Sequence, residues 1–217
     1  MSRAAEVYEE LKTGIRLGDL PPGYQAPEPE LAKKYGVSRS TIREALVRLE
    51  GEGFIELIPR RGARVLPLAV EDLEEIYQIL SFIEPNIARV LAQRNPSAED
   101  LAPLEKAVVD MEEALATGDL AAWAQADDEF HMTLLKLLDN GRLQRFLSEL
   151  LDQAHRARMV TLRMRELPAQ STQEQRQILE AIKSGDGTES FRVFSAHRER
   201  ASLELVEILR KTGIRQF

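Results

Sequence analysis

The chain has 217 residues, of which 43% are hydrophobic and 30% are charged, and its formal net charge is −7. It contains no cysteine, which excludes disulfide bonds, cysteine nucleophiles and zinc sites built on thiolates. No apolar run approaches the roughly 20 residues that a transmembrane helix needs, and the N-terminus lacks the apolar stretch of a signal peptide. We therefore expect a globular cytoplasmic protein without membrane association.

Charge is distributed unevenly along the chain. Residues 1–70 contain 11 Lys and Arg against 10 Asp and Glu, so their net charge is +1, whereas the remaining residues carry −8. Eight basic side chains fall within one short stretch: Lys33, Lys34, Arg39, Arg43, Arg48, Arg60, Arg61 and Arg64. This asymmetry predicts two domains with different partners, and the basic stretch favours a polyanion as the partner of the first.

Residues 1–68 predict three helices followed by a β-hairpin. Apolar residues four apart in "AEVYEELKTGI" predict a first helix, and "ELAKKYG" predicts a short second helix that ends at a glycine. A third helix follows, with Ser38 as its N-cap and Ile42, Leu46 and Leu49 as its buried stripe. Two alternating segments, "FIELI" and "ARVLPL", joined by "PRRG", predict the hairpin. This order of elements is that of a winged helix-turn-helix, a DNA-binding fold.

The third helix concentrates hydroxyl and guanidinium groups at its N-terminal end: Ser38, Arg39, Ser40, Thr41 and Arg43. The N-terminal residues of a recognition helix face the bases and backbone of DNA, where the helix dipole and free amide groups also favour phosphate. Arg39 and Arg43 are four residues apart and share a face, and arginine can form two hydrogen bonds to guanine. In the wing, Arg60, Arg61 and Gly62 would reach an adjacent groove or the phosphates. The alternative is an ordinary capped helix with a solvated face.

From residue 69 to 217 the pattern predicts an all-helical domain. Six helical segments are expected, at 71–93, 97–117, 119–138, 141–162, 172–184 and 188–211. Gly-Asp pairs separate several of them, since glycine ends one helix and aspartate can cap the next. The predicted fold class is therefore mainly α: an N-terminal winged helix-turn-helix plus a C-terminal six-helix bundle.

One pair of side chains in this second domain has the spacing of metal ligands. Asp127 and His131 are four residues apart, so they share a helical face, and His197 could reach them from the last helix. A divalent metal normally takes three or more protein ligands, and such a pair also occurs as a hydrogen-bonded or solvated pair, so both interpretations stay open. His155 lies in the basic stretch "HRAR", which predicts that it is at the surface.

The stretch "GDLPPGYQAPEPELAKKYGVSRSTIREALVRLEGEGFIELIPRRGARV" resembles the DNA-binding domain of the GntR family of bacterial transcription regulators. The resemblance lies in its Pro-Gly turn and its Leu-Ala, Ser-Arg, Arg-Glu-Ala-Leu and Arg-Gly segments. It implies that operator DNA is contacted by Ser38, Arg39, Ser40, Thr41 and Arg43, together with Arg61 and Gly62 in the wing. Members commonly carry a basic residue where this chain has Pro29, so we expect the corresponding contact to be missing.

Residues 71–211 resemble the FCD effector domain of the same family, through "EPNIARVLA", "DDEFH", "STQEQRQILEAIKSGD" and the later His197. Six helices imply the smaller, vanillate-regulator-like branch. In metal-binding members the ligands correspond to Asp127, His131, His197 and a fourth histidine, which is Gln175 in this chain. The cofactor implied is a divalent metal such as zinc, nickel or manganese, bound less tightly because an amide oxygen is a weak ligand for zinc or nickel.

The resemblance implies a homodimeric transcription regulator, a repressor by family habit, whose two recognition helices bind a palindromic operator. Its small-molecule effector would be a carboxylate. Members often carry a carboxylate-clamping arginine at the position of Leu80, so a metal-free regulator that binds an apolar or acyl ligand is the alternative. A metalloenzyme is a third interpretation, but the chain has no His-Glu-x-x-His, no Glu-x-x-His and no phosphate-binding glycine loop, so we expect no enzyme.

Overall fold

The computed structural model describes residues 2–162, 164 and 166–217, and these fold into two compact units. The first unit ends at Ala69 and also includes Gln216–Phe217; the second is Val70–Arg215. The elements of the first unit are α1 (Arg3–Leu17), β1 (Gln25–Ala26), α2 (Glu28–Tyr35), α3 (Arg39–Gly51), β2 (Ile55–Ile58) and β3 (Gly62–Val65). Those of the second are α4 (Val70–Gln93), α5 (Ala98–Thr117), α6 (Leu120–Leu137), α7 (Gly141–Thr161), α8 (Ala169–Lys183) and α9 (Gly187–Lys211).

The three helices of the first unit enclose a small apolar core. Residues of α1 and α3 that recur every three or four positions are buried together with Phe54, which follows α3. The helix ends are marked as the sequence predicts, since Ser2 caps α1 and Gly18 closes it at a φ of 84°. This core holds α3 in place while leaving its other face exposed.

The sheet of the first unit has three strands in the order β1-β3-β2, and both pairings are antiparallel. The predicted hairpin is confirmed as β2 and β3, with Ile55 opposite Val65 and Ile58 opposite Gly62. Strand β1 was not predicted. It consists of two residues in a Pro- and Gly-rich stretch, so its sequence shows no alternation, and only its partner β3 makes it a strand.

The second unit consists of six helices within the described residues, which confirms the predicted number and the mainly α fold class. Most helix ends lie within one or two residues of the predicted ends. Helix α8 begins at Ala169, three residues before the predicted start, because the chain turns into the helix directly after Pro168. Within the described ranges, no helix is long and apolar enough to cross a membrane.

Candidate DNA interface and buried polar centre

Helix α3 begins with a cluster of hydroxyl groups. The Oγ of Ser38 accepts a hydrogen bond from the Thr41 N–H at 3.2 Å, and it lies 2.8 Å from both Ser40 Oγ and Thr41 Oγ1. Ser38, Arg39 and Ser40 are exposed, and Thr41 is half-buried. Gly36, at a φ of 64°, ends α2 and sets the turn that leads into α3. The predicted contact residues therefore surround one helix N-terminus, which also carries the positive end of the helix dipole.

The arginines of α3 point away from the core. Arg39 and Arg43 are exposed, whereas Ile42, Leu46 and Leu49 on the other side of the helix are fully buried. Within the described part of the chain, neither guanidinium forms a salt bridge. Both side chains are thus free to bind a partner from solvent.

The wing is the turn between β2 and β3. Its residue Gly62 has a φ of 88°, and a Cβ at this position would lie 2.1 Å from the Ala26 carbonyl oxygen, so only glycine fits. The carbonyl of Arg61 accepts a hydrogen bond from the Gln25 side chain at 3.2 Å. Arg60 has a φ of 66°, and both it and Arg61 are exposed. Strand β1 therefore fixes the wing tip from which these two arginines project.

A groove of about 480 Å³ connects the wing with the recognition helix. Arg43 of α3 lines it together with Arg60 and Gly62 of the wing. Pro29, which occupies the position of a commonly basic residue, lines it too. Three of the residues predicted to contact DNA, one from α3 and two from the wing, thus line the same groove of the first unit.

The second unit contains a group of buried polar side chains, which we call the polar centre. Asp127 and His131 of α6, Gln175 of α8 and His197 of α9 are each at most 2% exposed. Asp127 Oδ1 lies 3.8 Å from His131 Nε2, and the rings of His131 and His197 stack with centroids 6.0 Å apart. The structure therefore brings together all four residues of the predicted metal set.

The amide of Gln175 lies between two of these side chains. Its Nε2 donates a hydrogen bond to Asp127 Oδ1 at 2.7 Å and lies 3.4 Å from His131 Nε2. Reversing the amide would place two acceptor oxygens 2.7 Å apart, so Asp127 fixes its orientation. On the other side of the ring, His131 Nδ1 lies 3.0 Å from Glu84 Oε1 and 2.9 Å from Arg198 Nη2.

Two buried ion pairs flank the polar centre. Arg158 Nη1 of α7 lies 2.9 Å from Asp127 Oδ2, and Arg198 of α9 pairs with Glu84 of α4. All four side chains are at most 6% exposed. Burial alone would raise the pKa of Asp127, but the neighbouring charge of Arg158 more than offsets this and holds that pKa well below its usual range. For Glu84, burial outweighs the attraction of Arg198 and raises the pKa.

The pKa values of both histidines of the polar centre are lowered. Burial lowers the pKa of His131 well below its usual value, and the charge of Arg198 lowers it further. Burial also lowers the pKa of His197, whose Nδ1 donates a hydrogen bond to Glu174 Oε2 at 2.7 Å. Burial would raise the pKa of Glu174, but its hydrogen bonds to His197 and Arg200 lower this pKa to about 2. A carboxylate thus orients each imidazole.

The prediction that His155 lies at the surface is wrong. Its side chain is 1% exposed, and its Nδ1 lies 3.6 Å from Asp128 Oδ1. The basic stretch around it suggested a solvated face, but Arg156 and Arg158 are themselves buried. The C-terminal half of α7 therefore directs charged side chains into the domain.

The metal ion that the resemblance implies does not fit this arrangement. Among the described residues, no group of three His, Cys, Asp or Glu side chains is placed to hold a metal ion. The lone pairs that Asp127 Oδ1 and His131 Nε2 would offer both face the amide nitrogen of Gln175. A hydrogen-bond donor therefore occupies the position in which these two side chains would share a cation.

Comparison with known proteins identifies both units. Residues 3–65 match the profile of "Bacterial regulatory proteins, gntR family", and residues 75–200 match that of the FCD domain. The chain belongs to the GntR family. An uncharacterized HTH-type transcriptional regulator of Agrobacterium vitis, from the TAR-I ttuE-ttuC' intergenic region, is 38% identical over 61% of this chain and 79% of its own length. The uncharacterized HTH-type transcriptional regulator YdhC of Bacillus subtilis is 31% identical over 82% of this chain and 80% of its own.

Among solved structures, Escherichia coli McbR/YncC has the same fold, with a TM-score of 0.83 at 21% identity over 95% of this chain and 98% of that one. This GntR-family chain is thus a DNA-binding transcription regulator with an FCD effector domain, and its relatives are regulators rather than enzymes.

Sequence reasoning missed the charged residues around the polar centre, namely Glu84, Arg158, Glu174 and Arg198. A signal was present for three of them. In α4, Glu84 continues the buried series Leu73, Tyr77 and Leu80. In α7, Arg158 continues the buried series Leu147, Leu151 and Ala154. In α9, Arg198 lies between the buried residues Phe194 and Ala201. A charged residue at such a position indicates a buried charge that needs a partner.

Proposed function

We propose that this GntR-family chain is a repressor that binds a palindromic operator as a homodimer. In each subunit Ser38, Arg39, Ser40, Thr41 and Arg43 of α3 contact the major groove, and Arg60, Arg61 and Gly62 of the wing contact the adjacent backbone or groove. The observation that carries this proposal is the groove lined by Arg43, Arg60 and Gly62, because it gives helix and wing a common surface. Repression is the usual activity of the family. A homodimer has the same two-fold symmetry as a palindromic operator.

The contact of Arg43 is tested with Arg43→Ala. Loss of a bidentate contact to a base should weaken specific binding by about 1–3 kcal/mol, or roughly 5- to 150-fold. Arg192→Ala is the matched control, since it removes the same charge from an exposed position of α9, where the side chain pairs with Glu189. Both variants are titrated against the native operator in gel shifts at one salt concentration. Equal affinities for wild type, Arg43→Ala and Arg192→Ala would refute the contact.

We further propose that a small-molecule effector binds the FCD domain and changes operator affinity. It can do so only if it binds one conformation of the dimer more tightly than the other. The six helices of the domain support a place in the smaller, vanillate-regulator-like branch.

Sedimentation of the purified protein with and without operator measures the proposed dimer, and a monomer on a half-site would contradict it.

A second candidate keeps the DNA-binding function but gives the domain a metal-free apolar or acyl effector instead of a carboxylate. Leu80 supports it, because this fully buried side chain of α4 stands where members often carry a carboxylate-clamping arginine. Mass spectrometry of organic extracts from purified protein distinguishes the two. A co-purified fatty acyl compound at near one equivalent would favour the second candidate, and release of operator DNA by short carboxylates would favour the first.

A further inference from the structure

The polar centre has side chains arranged like those around a metal ion, but a protein atom occupies the position of the ion. The Nδ1 atoms of His131 and His197 both lie against carboxyl groups, 3.0 Å from Glu84 Oε1 and 2.7 Å from Glu174 Oε2. Metal-ligating histidines are oriented in this way, since a hydrogen bond at one ring nitrogen directs the other toward the metal. Each imidazole is therefore oriented by a neighbouring carboxyl group.

The amide nitrogen of Gln175 lies between Asp127 and His131. It lies 2.7 Å from Asp127 Oδ1 and 3.4 Å from His131 Nε2, so the two donor atoms of an Asp-x-x-x-His pair converge on it. One N–H of this amide donates to Asp127 Oδ1, so a proton-bearing nitrogen occupies the position that a shared cation would need. Gln175 is fully buried, so its side chain cannot leave this position for solvent.

Asp127 does not need a metal ion to compensate its charge. Its other oxygen, Oδ2, faces Arg158 at 2.9 Å, so the buried carboxylate is neutralised from the side opposite Gln175. Oδ1 is therefore the atom of Asp127 that a metal would bind, and this oxygen already accepts the hydrogen bond from the Gln175 amide. The Oε1 of Gln175 has no hydrogen-bond partner in the described part of the chain, so the oxygen end of the amide is not directed at either ligand.

We propose that Gln175 closes the polar centre against divalent metals, because its amide nitrogen, hydrogen-bonded to Asp127, occupies the position between Asp127 and His131. The FCD domain of this chain is then stable without a metal ion, and its effector is recognised without a metal bridge. The remaining ligands and the carboxylates that orient them are intact, so the side chain at position 175 alone decides whether the centre takes a metal.

The test compares the full chain with Gln175→His. Each protein is equilibrated with zinc, nickel or manganese, desalted, and its metal content is measured by elemental mass spectrometry. Thermal melts with and without metal give a second readout that does not depend on activity. Gln177→His is the matched control, because it adds a histidine at an exposed position of the same helix. His131→Ala in each background reports metal bound outside the centre.

We expect the wild-type chain and Gln177→His to hold no more metal than their His131→Ala counterparts. Gln175→His should hold about one equivalent, which His131→Ala removes, and its melting temperature should rise with added metal. Near-stoichiometric metal in the wild-type chain that is lost in His131→Ala would overturn the proposal, because the amide oxygen would then be a ligand. Absence of metal from both wild type and Gln175→His would overturn it as well, since position 175 would not be the deciding residue. These measurements involve no DNA, so their outcome is separate from that of the operator contacts.

Discussion

Replacing Arg158 by methionine should destabilise the FCD domain strongly. The guanidinium lies 2.9 Å from Asp127 Oδ2, and the two side chains are 6% and 3% exposed. Methionine fills a similar volume but leaves Asp127 as a buried carboxylate with the Gln175 amide as its remaining close donor. Removing one partner of a buried ion pair costs about 3–5 kcal/mol because the other charge stays desolvated. For a domain of about 150 residues this corresponds to a fall in melting temperature of roughly 6–20 °C.

The matched control is Arg176→Met. Arg176 also joins two helices, since it pairs with Glu105 and Glu112 of α5, but these pairs are at the surface, and solvent screening limits such pairs to about 1 kcal/mol or less. Thermal melts and urea titrations followed by circular dichroism compare the two variants. The double variant Arg158→Met/Asp127→Asn should regain part of the loss, because it removes the stranded charge and keeps an acceptor for Gln175. If Arg158→Met lowers the free energy of unfolding no more than Arg176→Met does, Arg158 is not what compensates Asp127.

Two further outcomes are expected in the first unit. Gly62→Ala should weaken operator binding and loosen the wing, because its Cβ would lie 2.1 Å from the Ala26 carbonyl oxygen. The control Gly51→Ala meets no atom within 4 Å, so it should leave gel shifts unchanged and should not lower the melting temperature. Burial and the 2.5 Å hydrogen bond to Glu52 raise the pKa of Tyr8 to about 12. The stability that this phenol contributes is therefore present up to pH 10 and is lost as the pH rises toward 12. Urea titrations of Tyr8→Phe should therefore show a flatter decline over that window than wild type, and equal slopes would show that the phenol is not linked to folding.

The first unit was largely predictable because its signals are local. The N-cap Ser38 and the helix-ending Gly36 act within one turn of chain, and the exposed Arg39 and Arg43 follow from the periodicity of α3. Strand β1 was not predictable in the same way. Its two residues become a strand only by pairing with β3, almost 40 positions later, and no local pattern encodes that partner.

The polar centre was predictable in part. The spacing of Asp127 and His131 placed both on one face of α6, and the structure brings His197 and Gln175 to them. Periodicity can also show that Glu84 is buried, but it cannot show which guanidinium on another helix will meet its carboxylate. The sequence also does not show which end of the Gln175 amide faces Asp127. The nitrogen faces it because the nearest atom is an acceptor, and that atom is brought there by the packing of three helices.

The ion pairs of the polar centre also constrain how an effector can act on this domain. They tie α6 to α7 through Asp127 and Arg158, and α4 to α9 through Glu84 and Arg198. Allosteric coupling energies are typically about 1–3 kcal/mol, whereas leaving one charge of a buried pair without its partner costs about 3–5 kcal/mol. An effector that separates either pair without supplying new partners would therefore leave a buried charge uncompensated, and this cost exceeds an ordinary coupling energy. Movements that keep α6 joined to α7, and α4 joined to α9, avoid that cost.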